Sequence, residues 1–174
     1  MDQQQRGPSG DAGWLSRAAG HVATACLGLM VALGLLNTGL RWLGKQLGEN
    51  LAGNAGLEGQ WYLFSLAFLL AAAPTLARGE HVRVDVLSGR LGPKARAWVD
   101  LVGGLALLLP FSAFAAWSTG EMAVRSALIF EGSPDPGGLP RWPIKLLIPF
   151  AFGLLALQGL AEVRGAFARA RARA

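Results

Sequence analysis

Residues 75 to 96, TLARGEHVRVDVLSGRLGPKAR, gather Arg78, Glu80, His81, Arg83, Asp85, Arg90, Lys94 and Arg96 into one short stretch. Arginines so placed can meet anionic lipid headgroups, and they can form ion pairs with acids of their own loop. The stretch carries neither a phosphate-binding loop nor a zinc-ligand set, so the chemistry it offers is attachment, and no catalytic role is assigned to it. It follows directly on the apolar run WYLFSLAFLLAAAP. Charge set against such a run is what the end of a membrane span looks like.

The elements that would position this charge are long and apolar. The chain has 174 residues, 52% of them hydrophobic, and a mean hydropathy of +0.38, above the usual soluble domain. Four stretches approach the roughly 20 helical residues that a bilayer core requires: Ala18 to Leu40, Gln60 to Ala77, Leu101 to Gly120 and Trp142 to Ala161. Their only formal charge is Lys145, near enough to a span end to snorkel. Trp14, Trp42, Trp61, Trp98, Trp117 and Trp142 all fall at segment ends, as amphipathic indoles at two membrane interfaces do. The predicted fold is therefore an all-α integral membrane protein with four transmembrane helices.

Orientation follows from the distribution of Lys and Arg. With the N-terminus inside, Arg6, Arg17, Arg78, Arg83, Arg90, Lys94, Arg96, Arg164, Arg169, Arg171 and Arg173 lie on the inner side; Arg41, Lys45, Arg125, Arg141 and Lys145 lie on the outer. Both termini are thus expected in the cytoplasm, with residues 1–17 as a polar tail, 18–163 as the membrane domain and 164–174 as a basic tail. The first apolar stretch lacks a cleavage signal and is long for a signal peptide, so it is read as an uncleaved span. A net charge of +5 and a pI near 10.3 need no nucleic-acid partner, because the basic residues stand between apolar runs. The single cysteine, Cys26, permits no intrachain disulfide.

Within these spans several positions carry specific expectations. The third helix reads as continuous from about Ala97 to Phe130, long enough to project outward beyond the bilayer or to tilt. Glu121 and Arg125 are spaced for an i, i+4 ion pair on the projecting part, and Pro110 is expected to bend it. Gly28 with Ala32, and Ala116 with Gly120, allow close helix approach. Asn37 and Gln158 are expected to hydrogen-bond across the bundle, and His21 reads as a satisfied polar residue. Val84, Leu87 and Leu91 share one helical face while Val82 and Val86 lie opposite, so periodicity leaves residues 80–91 undecided. The link FEGSPDPGGLPRWP, with Pro134, Pro136, Gly137, Gly138, Pro140, Arg141, Trp142 and Pro143, reads as an ordered non-helical turn and a candidate outward docking surface.

No Asp or Glu stands inside the four apolar stretches, and no paired broken helices form a midplane site, so the chain alone does not resemble an ion-coupled transporter. It reads as a membrane subunit that supports a larger partner. No cofactor or metal is implied, and no enzymatic activity. A small self-sufficient homodimeric transporter and a membrane assembly or anchoring protein are the competing classes.

The order EGQWYLFSLAFLLAAAPTLARGEHVRVDVL, then LGPKARAWVDL, then GGLPRWPIKLLIPFAFGLLALQGLAE resembles the small membrane subunit of tripartite ATP-independent periplasmic (TRAP) transporters, the DctQ family. The resemblance spans about residues 18 to 163, and RGEHVRVD is its most specific element. It implies a four-helix protein in the bacterial inner membrane, paired as a heterodimer with a large membrane subunit and served by a periplasmic substrate-binding protein. Uptake of an organic acid, often a carboxylate, would be driven by an ion gradient, usually sodium, without ATP. Arg78, Gly79, His81, Arg83 and Asp85 would then fix the inner loop through ion pairs and contacts to the large subunit, or anchor it to membrane lipids. One departure is visible: many members carry an acidic pair before the second span, whereas here Glu58 alone precedes Gln60 and Trp61.

Overall fold

A computed structural model describes residues 12–79 and 92–172. Helix α1 runs Ala12–Leu47 and α2 runs Asn54–Arg78. An unbroken third rod consists of α3 (Pro93–Gly103), one π-type turn (Gly104–Leu108) and α4 (Leu109–Leu128); α5 spans Trp142–Ala172. No strand occurs among the described residues. Four of these rods are long and apolar enough to cross a membrane, so the chain is a multi-pass membrane protein.

The helices outrun the apolar stretches. With 36 residues α1 is about 54 Å long, well beyond the hydrocarbon core. Its extension Arg41 to Leu47 sets Arg41 and Lys45 among Trp42, Leu43 and Leu47, and it stops where Gly48 turns left-handed at φ 72°. There the Glu49 N–H reaches back to the Gly44 carbonyl at 3.0 Å. Gly79 (φ 68°) ends α2 in the same way, its N–H donating to the Leu76 carbonyl at 3.0 Å. At the end of α4 the left-handed position falls to Phe130 (φ 47°), while Glu131 N–H closes on the Ser126 carbonyl at 3.0 Å. A side chain there costs about 1–2 kcal/mol, and the Phe130 ring is held edge-on against Trp142 with centroids 6.2 Å apart.

Pro110 has a specific local consequence. Lacking an N–H, it cannot continue the α-helical ladder, and the turn just before it widens: Leu109 N–H bonds to the Gly104 carbonyl, five residues back. Ser112, fully buried, gives its hydroxyl to the Leu108 carbonyl at 2.7 Å. The expected bend thus takes the form of a π turn within a continuous rod. Gly104 faces Val163 of α5 so closely that a Cβ would overlap it.

The helices pack in the order α1, α2, α5, α4, with α5 also touching α1 and α3. The core is made largely of small residues, Ala19 and Ala23 against Leu70, Ala73 and Leu154, with Leu101, Val163 and Ala166 forming a second patch between α3 and α5. Close approach uses Gly20 on Pro74, Gly120 on Pro149 and Gly159 on Leu108. Gly28 and Ala32, whose size allows close helix approach, lie exposed on α1, and nothing within the chain comes within 4 Å of a Cβ placed on Gly28. Gln158 does bond across the bundle, accepting the Ser16 hydroxyl at 2.7 Å. Asn37 is buried against Gly56, His21 is exposed on α1, and Glu121 pairs with Arg125 at 2.5 Å on the surface.

Because α1 and α4 lie at the two edges of this row, each keeps an unpartnered apolar flank. Leu29, Val31, Leu35 and Leu36 on α1, and Phe111, Phe114, Trp117 and Leu128 on α4, are all more than half exposed. In water that surface would be a severe liability; in a bilayer or against a second membrane protein it is an ordinary contact face.

Candidate functional site

The best-defined polar assembly sits where the α1–α2 and α4–α5 connections meet, at the end of the bundle away from the termini. Gly53, extended, starts α2 without a side-chain cap, which leaves Asn54 free to donate its amide to the Pro136 carbonyl at 3.0 Å. One turn later Glu58 is only 4% exposed. Its Oε2 accepts the Leu139 N–H at 2.5 Å, and its Oε1 accepts the Ser133 hydroxyl. Another turn on, Tyr62 donates its hydroxyl to the Pro140 carbonyl at 2.9 Å. Positions 54, 58 and 62 share one face of a helix, so α2 presents a ladder of three polar side chains to the loop's backbone.

The loop is shaped to receive that ladder. Gly137 adopts φ 69°, a left-handed conformation that suits glycine. Gly138 passes so close to Ser133 and Glu58 that a Cβ would overlap both. The Ser133 hydroxyl also accepts the Asp135 N–H at 3.1 Å, and Gly138 N–H bonds to the Asp135 carbonyl at 3.0 Å. The proline-rich link is therefore an ordered turn, and the candidate residues Pro134, Gly137, Gly138, Pro140, Arg141 and Trp142 are brought together within it. Pro134, Pro136 and Pro140 face outward.

A second clasp closes the loop onto α5. Lys145 bonds to both oxygens of Glu131, at 2.7 and 2.5 Å, with each side chain a little over a quarter exposed. The expected snorkelling lysine is thus an ion-paired one. That bond holds the Glu131 carboxyl below its usual range; the Arg141 charge adds to the effect and partial burial opposes it. Arg141 donates its backbone N–H to the Glu131 carbonyl at 2.8 Å, and its guanidinium lies within electrostatic reach of Glu58 and Glu131.

At the other end, Arg78 occupies the last turn of α2 with its guanidinium beside Gly20, and Gly79 caps the helix. His81, Arg83 and Asp85 lie outside the described residues, so the geometry does not bear on the ion pairs expected among them. What sequence reasoning missed is Glu58, noted only as a departure from a family pattern. Its i, i+4, i+8 spacing with Asn54 and Tyr62 was the available signal; its partners, about eighty residues away, gave none.

None of this assembly has the form of a catalytic centre: the acids are bonded to a hydroxyl, a backbone N–H and an ammonium, and no group of three or more His, Cys, Asp or Glu that could hold a metal occurs among the described residues. The arrangement shapes a surface. Against known proteins, the family model described as tripartite ATP-independent periplasmic transporters, DctQ component, matches residues 56–169, more than half of the chain. No curated protein and no solved structure matches it.

Proposed function

The chain belongs to the DctQ family of TRAP transporter components, and from that premise we propose that it is the scaffold that braces a large membrane subunit during binding-protein-dependent uptake. The observation that carries this reading is the open row of helices: α1 and α4 each offer an unpartnered apolar flank, while among the described residues the apolar spans bury no Asp or Glu at mid-helix depth that could bind a charged solute. A chain so built supports a translocating partner and does not itself translocate.

In this reading the protein is a multi-pass component of the bacterial inner membrane with both termini in the cytoplasm. The transported solute is an organic acid, a carboxylate, brought by a periplasmic binding protein and carried in symport down an ion gradient. Arg78, Gly79, His81, Arg83 and Asp85 form the inner attachment of the hairpin, to the large subunit or to headgroups, which fits an exposed Arg78 at the end of α2. The clasped loop from Pro134 to Trp142 is the outward face available to the binding protein, supported by its fixed backbone and exposed prolines.

The test is uptake of labelled carboxylates in cells that keep the large subunit and binding protein but lack this chain. Loss of uptake, restored by the chain and weakened by Asp85→Ala, supports the scaffold. Undiminished uptake without it contradicts the proposal.

A further inference from the structure

Each membrane-crossing rod carries one uncharged stretch bounded by a charge at either end: Arg17 and Arg41 on α1, Glu58 and Arg78 on α2, Asp100 and Glu121 on the third rod, Lys145 and Glu162 on α5. Their midpoints fall at Leu29, at Phe68, between Pro110 and Phe111, and between Gly153 and Leu154. The packing contacts fix which residues stand level. Gly20 meets Pro74 and Gly34 meets Gln60 between α1 and α2, and Ser16 bonds to Gln158 between α1 and α5. Between the third rod and α5, Gly120 meets Pro149 and Gly159 meets Leu108.

By that register the four midpoints are not level. Passing along the row from α1 to α2, α5 and the third rod, each midpoint lies roughly three to five residues, or about 5–8 Å, nearer the termini end than the one before. The shifts all run the same way and reach about 18 Å across three helix spacings of roughly 8–10 Å each. A plane through the four midpoints is therefore inclined, its normal standing about 35° from the helix axes.

We infer that the whole row sits obliquely in the bilayer, its helices tilted about 35° from the membrane normal, so that the lipid-contact belt runs diagonally across the row. Two observations select this seating over an upright one. Upright, a hydrocarbon core of about 30 Å centred on the row would enclose Glu121 by about 9 Å and Arg17 by about 6 Å. The Glu121 and Arg125 side chains are 61% and 77% exposed, so acyl chains would surround them, a costly place for charge. The tryptophans agree independently. All six lie within four residues of a bounding charge, yet by the α5 contacts Trp117 stands about 14 Å nearer the termini end than Trp142 along the helix axes. An inclined bilayer puts both at one headgroup level, where indoles belong. The same tilt brings the stretch from Arg17 to Arg41, about 36 Å long, to about 30 Å of thickness. The seating follows from the chain's own charges and contacts and holds whatever it assembles with.

Spin labels on the full chain in phosphatidylcholine liposomes test the seating, with Cys26→Ala as the background. Val22→Cys and Leu29→Cys on α1, and Phe111→Cys and Trp117→Cys on the third rod, place labels at sites that are about half exposed or more. Depth is read from collisions with oxygen against those with a polar nickel chelate. Tilted, Leu29 lies about 9 Å deeper than Val22, and Phe111 about 7 Å deeper than Trp117. Upright, both orders reverse; reversal or equality within either pair overturns the seating. Polarised infrared dichroism of the unaltered chain in aligned bilayers needs no substitution. It should give a mean helix tilt of about 35°, and a value below about 25° contradicts the proposal.

Discussion

Glu58 Oε2 accepts the Leu139 N–H at 2.5 Å, joining the first turns of α2 to a loop eighty-one residues further along the chain. Through that bond and the Ser133 hydroxyl on the other oxygen, one buried carboxylate fixes the conformation of the α4–α5 loop. Glu58→Ala should therefore free the loop while leaving the helices in place. Hydrogen exchange at Leu139 should quicken by at least tenfold, since its N–H would lose the Glu58 acceptor; unchanged protection there would show that the loop holds itself.

The Glu131–Lys145 clasp predicts an acid limit. A carboxyl whose folded pKa is depressed contributes stability that is fully present above its unfolded value, near 4.5, and is lost as pH falls through the folded value. Thermal midpoints should thus hold level near neutral pH and decline below about pH 4.5. In Lys145→Met the carboxyl loses its main partner, so the decline should be shallower and begin from a lower midpoint. Equal acid profiles for the two proteins would remove the clasp from the account.

Gln158 tests the value of a buried polar contact between α1 and α5. Ser16→Ala leaves its Oε1 without the 2.7 Å bond and should cost about 1 kcal/mol, within the range for polar contacts between membrane helices. Adding Gln158→Leu should recover part of the loss, because the unsatisfied group goes too. Unfolding in mixed micelles measures both, and additive losses in the double variant would refute the coupling.

Gly104 tests the fit at the π turn. Gly104→Ala places a methyl group against Val163 and should cost about 1–3 kcal/mol by overpacking, while Val163→Ala in the same chain should relieve it. A single Gly104→Ala variant as stable as the parent would mean that the rod and α5 are not in fixed contact there.

These residues also show where sequence reasoning reaches and where it stops. The four spans were legible because apolar length and tryptophan placement are local signals, and so was the Glu121–Arg125 pair, whose partners are one turn apart. Helix ends were not: α1 continues through Arg41 and Lys45 because helix propensity persists after hydropathy fails. The Gly28–Ala32 pair meets no helix of this chain, because small residues permit close approach without requiring it. Pro110 announced a disturbance but not its form, since a π turn leaves no periodic trace. The Glu58 contact lay beyond reach because its partners are joined only by the fold.

The central claim is that this chain serves as a scaffold for a larger membrane protein, and isolation of the tagged chain from its native membrane in mild detergent tests it most directly. The account predicts a stable one-to-one complex with a large multi-span membrane protein. A homodimer that by itself moves a solute across reconstituted vesicles would contradict it.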